Sequence, residues 1–432
     1  MDKRTIIATV IISIVIVMSV GLTVYYLIGT TEPATETTEP VSSNGESYFP
    51  SSGSVSGGEE TTKGDQDSYP EGSVPEAESV LSGGMLISGK DVMVATNIPV
   101  AGITFVSKNN TAEPALRYIE KGTGHIKDIS FSEKLPTKIS NTTMTGIYDA
   151  IWGHEGATVI LKKLNSPENT VQFVYGTIES SVSSSDLEGS VGKLNEVVLP
   201  SNILDIAVSP DKTRIFYLVN DLDSSVGLIS DFTPGTPSDK KTKVWTSPFK
   251  NWNVSWPIKD TLSMYPKPSS TTDGHLYSLL ISNSKFSKLI GDIKGLTAQV
   301  SPSGKNAIYS ESTGTGFVSY WRDLTKNTTS ILPIQTLPEK CVWSKISEFT
   351  LYCGVPSTII GNNYPDSWYQ GVTSFSDGII RIDLDVNTSN TIAKAGSLGR
   401  ELDVTKPILS EDENFMAFIN KKDGTPVIIK LR

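Results

Sequence analysis

The chain has 432 residues and only two cysteines, Cys341 and Cys353, both in "KCVWSKISEFTLYC" (340–353). Two thiols with no histidine between them make a poor zinc site, and their spacing is far from a Cys-x-x-Cys redox pair. Both lie six residues from Ser347. In a hairpin turning there, directly opposed positions have Cα atoms ~4.5–5.5 Å apart, within disulfide reach. A structural disulfide is therefore expected. The three histidines, His125, His154 and His275, are too scattered to share a metal. Asp221 and Asp223 in "NDLDSS" and Asp383 and Asp385 in "RIDLDVN" do not match the twelve-residue calcium loop. There is no G-x-S-x-G nucleophile motif, "SPSGK" is not a complete phosphate loop, and "GTG" (122–124) lacks a third glycine. No catalytic, cofactor-binding or metal residue is expected. One segment suggests recognition: Tyr364, Trp368, Tyr369 and Phe375 sit among Asn, Gly, Asp and Pro in 361–378, and aromatic anchors in loops often carry binding energy. The alternative is that these rings fold back onto their own unit.

The elements that position such residues read almost entirely as strands. "RIFYLV", "LYSLLIS", "GIIRIDL" and "PVIIKL" are rich in β-branched and aromatic residues, and "SPDK", "SPSGK" and "KKDG" separate them as turns. The plan repeats: "IAVSPDKTRIFYLV" (206–219) and "AQVSPSGKNAIYSE" (298–311) each run apolar strand, Ser-Pro turn, apolar strand. Weaker copies place the last apolar residue before each turn at Trp152, Val208, Trp256, Val300, Trp343 and Leu409, 43 to 66 residues apart. That is near the period of a four-stranded propeller blade. The longest interval contains 361–378, and a further unit fits at 98–129. The expected fold is all-β, a propeller of seven four-stranded blades over 85–432, with six or eight blades or a β-sandwich pair as alternatives. Ring closure protects strand edges, and "GMLISGKDVMVAT" (84–96) is positioned to pair with the blade ending at "PVIIKL". The recurrent Trp152, Trp256 and Trp343 are expected to pack between blades.

"VSPDKTRIFYL" and "VSPSGKNAIYS" resemble the Ser-Pro-Asp-Gly turn of TolB-like and WD-repeat-like propellers. More loosely, "ALRYIEKGTGHIKDI…ISNTTMTGIYDAIW" with "CVWS…LYCGVP…PDSWYQG" resembles membrane-anchored propeller proteins of uncultured small-genome bacteria. The chain departs from the pattern where Lys212 replaces the turn glycine, where "SWPIKD" lacks Ser-Pro, and in having no Trp-Asp dipeptide. The resemblance implies a fold and no activity, because propellers host many.

From Ile6 to Ile28 there is no charged residue, enough to cross a bilayer core, and Lys3 and Arg4 precede it. A single-pass signal-anchor helix at 6–28 is expected, behind a cytoplasmic tip (1–5), with a cleaved signal peptide as the alternative. The positive-inside rule then puts the rest of the chain outside the cell membrane, an oxidising setting that suits the disulfide. Residues 29–84 are rich in Ser, Thr, Pro, Gly and Glu, a composition that cannot offset the cost of ordering. Eleven acids in that stretch face Lys63 alone, and the whole chain carries −10, so the folded part is near neutral. No basic run with interleaved aromatics points to nucleic acid. The expected role is a membrane-anchored, non-catalytic binding or scaffold module for a protein or envelope polymer. The alternatives are an extracellular glycan- or peptide-cleaving propeller with acids converging in its funnel, and a structural subunit of an envelope assembly.

Overall fold

The computed structural model describes residues 85–86, 91–108, 113–133, 135–165, 169–179, 191–234, 240–397 and 399–432. The expected membrane span (6–28) and acidic linker (29–84) lie outside them. The described chain folds into seven antiparallel sheets, six of four strands and one of five. Each sheet is a meander whose first strand lies at the centre of the ring: Val100–Val106, Ile147–Trp152, Ile203–Val208, Trp252–Ile258, Thr297–Val300, Cys341–Trp343 and Val404–Leu409. Five of the six repeat positions read from sequence are the last residues of these inner strands. Trp256 falls two residues short of the end of its own. The fold is thus a seven-bladed propeller, and the sandwich alternative is excluded.

Ring closure follows the expected route. Val92, Met93 and Val94 pair with Ile429, Ile428 and Val427, so an N-terminal strand becomes the fourth of the last blade. Met85–Leu86 adds a fifth by pairing with Met93 and Val94.

Seven apolar clusters each join two successive blades. This explains why middle strands carry long apolar runs. A strand with a neighbouring blade on both faces has no solvent side, as in Phe415–Asn420, where all six residues are buried. Outer strands such as Thr328–Ile331 are exposed and mostly polar. Trp152, Trp256 and Trp343 sit in the clusters between blades 1 and 2, 3 and 4, and 5 and 6. Burying each such ring contributes on the order of 2–3 kcal/mol.

Cys341 and Cys353 are directly opposed in the sixth blade, with Cα atoms 4.1 Å apart, and form a disulfide. Both are buried, packed with Ile308, Leu332, Trp343 and Leu351.

Candidate functional site

The inner hairpin turns of blades 3, 5 and 7, each joining the first and second strands, share one hydrogen-bond plan. In blade 3, Lys212 N–H donates to Ser209 C=O, and Arg214 N–H donates to Ser209 Oγ. Ser301 plays the same part in blade 5 and Ser410 in blade 7. The fourth turn residue is left-handed each time: Lys212 at φ 56°, Gly304 at 72° and Glu413 at 52°. Glycine takes that conformation freely, whereas a side chain there costs roughly 1–2 kcal/mol. Blades 3 and 7 accept the cost differently. The Glu413 carboxylate is buried and answered within the fold, taking hydrogen bonds from Ser344 Oγ (2.8 Å) and the N–H groups of Lys345 (2.6 Å) and Ile346 (3.2 Å). Lys212 has no such set of partners.

Lys212 stands on a cavity of about 770 Å³ at the mouth of the central channel, walled by inner strands and turns of blades 1, 2, 3, 6 and 7. Its Nζ crosses over blade 2 and donates to Thr104 Oγ1 of blade 1 at 3.1 Å. Among the described residues no carboxylate comes within ion-pair distance of it. Burial, and then the nearby positive charge of Lys345, push the Lys212 amine down to about 8, with Glu411 opposing. Lys345 is exposed on the same wall, and no ion pair of it exists among the described residues. Deeper in, Lys406 is paired with Asp149, which also meets Lys162 at 3.1 Å. Burial works to raise the Asp149 carboxyl, but the two lysines outweigh it and hold it low. Trp152 lines the cavity too, and its buried indole N–H has no acceptor.

The 361–378 aromatics lie at the other end of the blades, between the second and third strands of blade 6. A short helix, α1 (Asp366–Tyr369), carries two of them. Tyr364, Trp368 and Phe375 are buried, in a cluster of their own with Phe317 and Leu337. Only Tyr369 keeps surface, at 42% exposure, with its hydroxyl donating to Glu339. Three of the four rings therefore pack against the protein itself and leave Tyr369 as the one on the surface.

What holds them is a fully buried charge cluster that the sequence reading missed. Lys340 Nζ meets Asp377 Oδ2 at 2.7 Å and also Asp403, all three without exposure. Trp368 Nε1 (3.0 Å), Ser374 Oγ (3.0 Å) and Phe375 N–H (3.0 Å) donate to Asp403. Trp368 and Phe375 place their rings 4.9 and 5.0 Å from the ammonium. Burial pushes the Asp377 carboxyl up to about 6 despite Lys340. Burial also acts against Asp403, but Lys340 and the donors keep it below its ordinary value.

The histidines are spread over three blades, as expected. His125 lies near Glu120 in blade 1, His154 at the cavity in blade 2, and His275 Nδ1 accepts from Asp292 N–H in blade 4. Among the described residues no group of three metal-binding side chains converges. Asp221 and Asp383 end strands and Asp385 follows in a turn. Lys212 did leave a sequence signal, a lysine where the turn pattern has glycine. Lys345 and Asp149 left none, because only ring closure brings blades 2, 3 and 6 to one cavity.

The fold is a seven-bladed β-propeller. No family model matches the chain, and no curated protein matches it in sequence. Among solved structures it is similar to oligogalacturonate lyase from Vibrio parahaemolyticus, with TM-score 0.50 and 9% identity over 81% of this chain and 96% of that one. TolB from Acinetobacter baumannii aligns with TM-score 0.39 and 12% identity over 76% and 79%. The propeller domain of the trilobed protease from Pyrococcus furiosus aligns with TM-score 0.45 and 11% identity over 77% and 96%. At these identities the likeness is one of fold.

Proposed function

We propose that the protein is a membrane-anchored, extracytoplasmic binding propeller that serves a protein or envelope polymer without catalysing its conversion. Contact is made at the inner-turn mouth of the channel, not through the 361–378 segment. The observation that carries this reading is the 770 Å³ cavity, within the ~300–1,000 Å³ usual for ligand sites, whose wall holds two ammonium groups, Lys212 and Lys345, that form no ion pair among the described residues. The Cys341–Cys353 disulfide supports an oxidising location, and the acidic 29–84 linker suits a tether that holds the propeller clear of the bilayer.

Two measurements test this. Protease added to intact cells should release the propeller; full protection would overturn the orientation. A photocrosslinker at Ile346, 63% exposed beside Lys345, should capture the partner, while one at Ile360, 75% exposed immediately before the 361–378 segment, should not. The reverse pattern would move the binding face to the other end of the blades.

A further inference from the structure

The cavity carries more than its volume. Several of its other charged side chains are answered inside the protein, the exposed Glu155 and Glu411 at its rim excepted. Lys406 is paired with Asp149 and Lys108 with Glu133. Asp211 takes hydrogen bonds from Ser209 Oγ and Thr213 N–H, and Asp412 from Ser410 Oγ and Asn414 N–H. Lys212 is turned into a partly buried site with a single neutral hydrogen-bond partner, the Thr104 hydroxyl, where the positive charge of Lys345 outweighs the opposing charge of Glu411.

Buried charges are otherwise paired, and like charges are not gathered without a counterion. The comparison with Glu413 sharpens the point. Both residues occupy the left-handed turn position that glycine suits, yet Glu413 repays the strain through its bonds to Ser344, Lys345 and Ile346, and nothing inside the fold does so for Lys212. Strain and desolvation kept at one lysine on a cavity wall point to a ligand that completes it.

We infer that Lys212 and Lys345, with the Thr104 hydroxyl, form a binding site for a small oxyanion-bearing ligand, one carrying a carboxylate or a phosphate group. The rim decides the size. Glu155, 80% exposed, and the exposed Glu411 flank the entrance, so a polyanion lying across the face would be repelled, while a single anionic group reaching inward would meet the ammonium pair. The inference deepens the proposed function and rests on its choice of face.

The test uses the full chain in detergent, titrated by calorimetry with inorganic phosphate, glucuronate and, as a neutral control, glucose. Phosphate, glucuronate or both should bind, and whichever binds identifies the source of the oxyanion; glucose should not. Lys212→Gly and Lys345→Met should each weaken binding by at least tenfold. Lys212→Gly should also raise the melting temperature, since it removes a strained, desolvated lysine. Equal binding of glucose, no binding of either anion, or unchanged affinity in both variants would overturn the site. A Lys212→Gly protein that melts lower would make the lysine a structural residue and overturn it too. If the Ile346 crosslink captures a partner while neither anion binds, the oxyanion site fails and the binding face stands; if the crosslink fails as well, both readings fall.

Discussion

Replacing Lys340 by Met removes the cation that pairs with both Asp377 and Asp403 in a pocket where none of the three side chains is exposed. The two acids are left unequal. Asp403 keeps Trp368 Nε1, Ser374 Oγ and Phe375 N–H as donors, whereas Asp377 keeps only Val404 N–H at 2.7 Å, and its Oδ1 has no partner. Breaking a buried ion pair from one side costs about 3–5 kcal/mol, and that loss is expected for Lys340→Met at pH 8 in urea denaturation followed by fluorescence of the seven tryptophans. The pH dependence identifies the cause. With Lys340 present, the folded-state value of Asp377 is about 6, above the ~3.9 of an unfolded chain. The folded form therefore holds the proton more tightly, and this group withdraws stability as pH rises from about 4 to about 6, with no further change above. Without Lys340 the Asp377 value climbs, so the window extends upward. The variant should then regain up to about 1.4 kcal/mol per pH unit on going from pH 8 to pH 6, where the parent's Asp377 contribution is flat. A loss under about 1 kcal/mol, or no recovery at pH 6, would refute the account of this cluster as a buried charge compensated by Lys340.

Three further outcomes are expected. With an amine near 8, Lys212 is about 10% neutral at pH 7, against about 0.03% for an ordinary lysine; limiting acetylation read by mass spectrometry should modify it roughly 100-fold faster than Lys394, and equal rates would contradict the burial and Lys345 argument. Alkylation under non-reducing, denaturing conditions should leave Cys341 and Cys353 unlabelled, and the Cys341→Ser/Cys353→Ser double variant should lose about 2–3 kcal/mol for a crosslink spanning 12 residues. Met93→Ala, at a fully buried position of the ring-closing strand, should cost about 2–5 kcal/mol in chemical denaturation, and a loss below 1 kcal/mol would argue that closure contributes little.

The blades were legible because the ring buries their middle strands on both faces. "IFYLV" in "RIFYLV" and "PVII" in "PVIIKL" stand out as apolar runs for that reason, and the Ser-Pro turns mark where inner strands end. Outer strands such as Thr388–Ala393 are exposed and polar, so nothing in their pattern separates them from loops. The cysteine register was readable because a hairpin fixes it locally. The fate of Trp368 was not, since its burial depends on Lys340 and Asp403, 28 and 35 residues away in sequence, closing over it. The cavity suffered the same limit. Thr104 and Lys212 meet across 108 residues, and only the odd lysine in a glycine position hinted at it.

The way the ring is fastened has a mechanical consequence. Whatever pulls on the chain upstream of the propeller delivers its load to Met85–Leu86 and then to Val92–Val94, the strand that clasps the last blade to itself. The two-residue pairing of Met85 and Leu86 peels first and leaves the clasp intact, so small tugs are absorbed outside the ring. A pull strong enough to strip Val92, Met93 and Val94 from Val427, Ile428 and Ile429 opens the circle itself, bares the apolar seam between the last blade and the first, and loosens the walls that bring Thr104, Lys212 and Lys345 together. Tension on the chain upstream of Met85 is thereby coupled to the shape of the channel mouth.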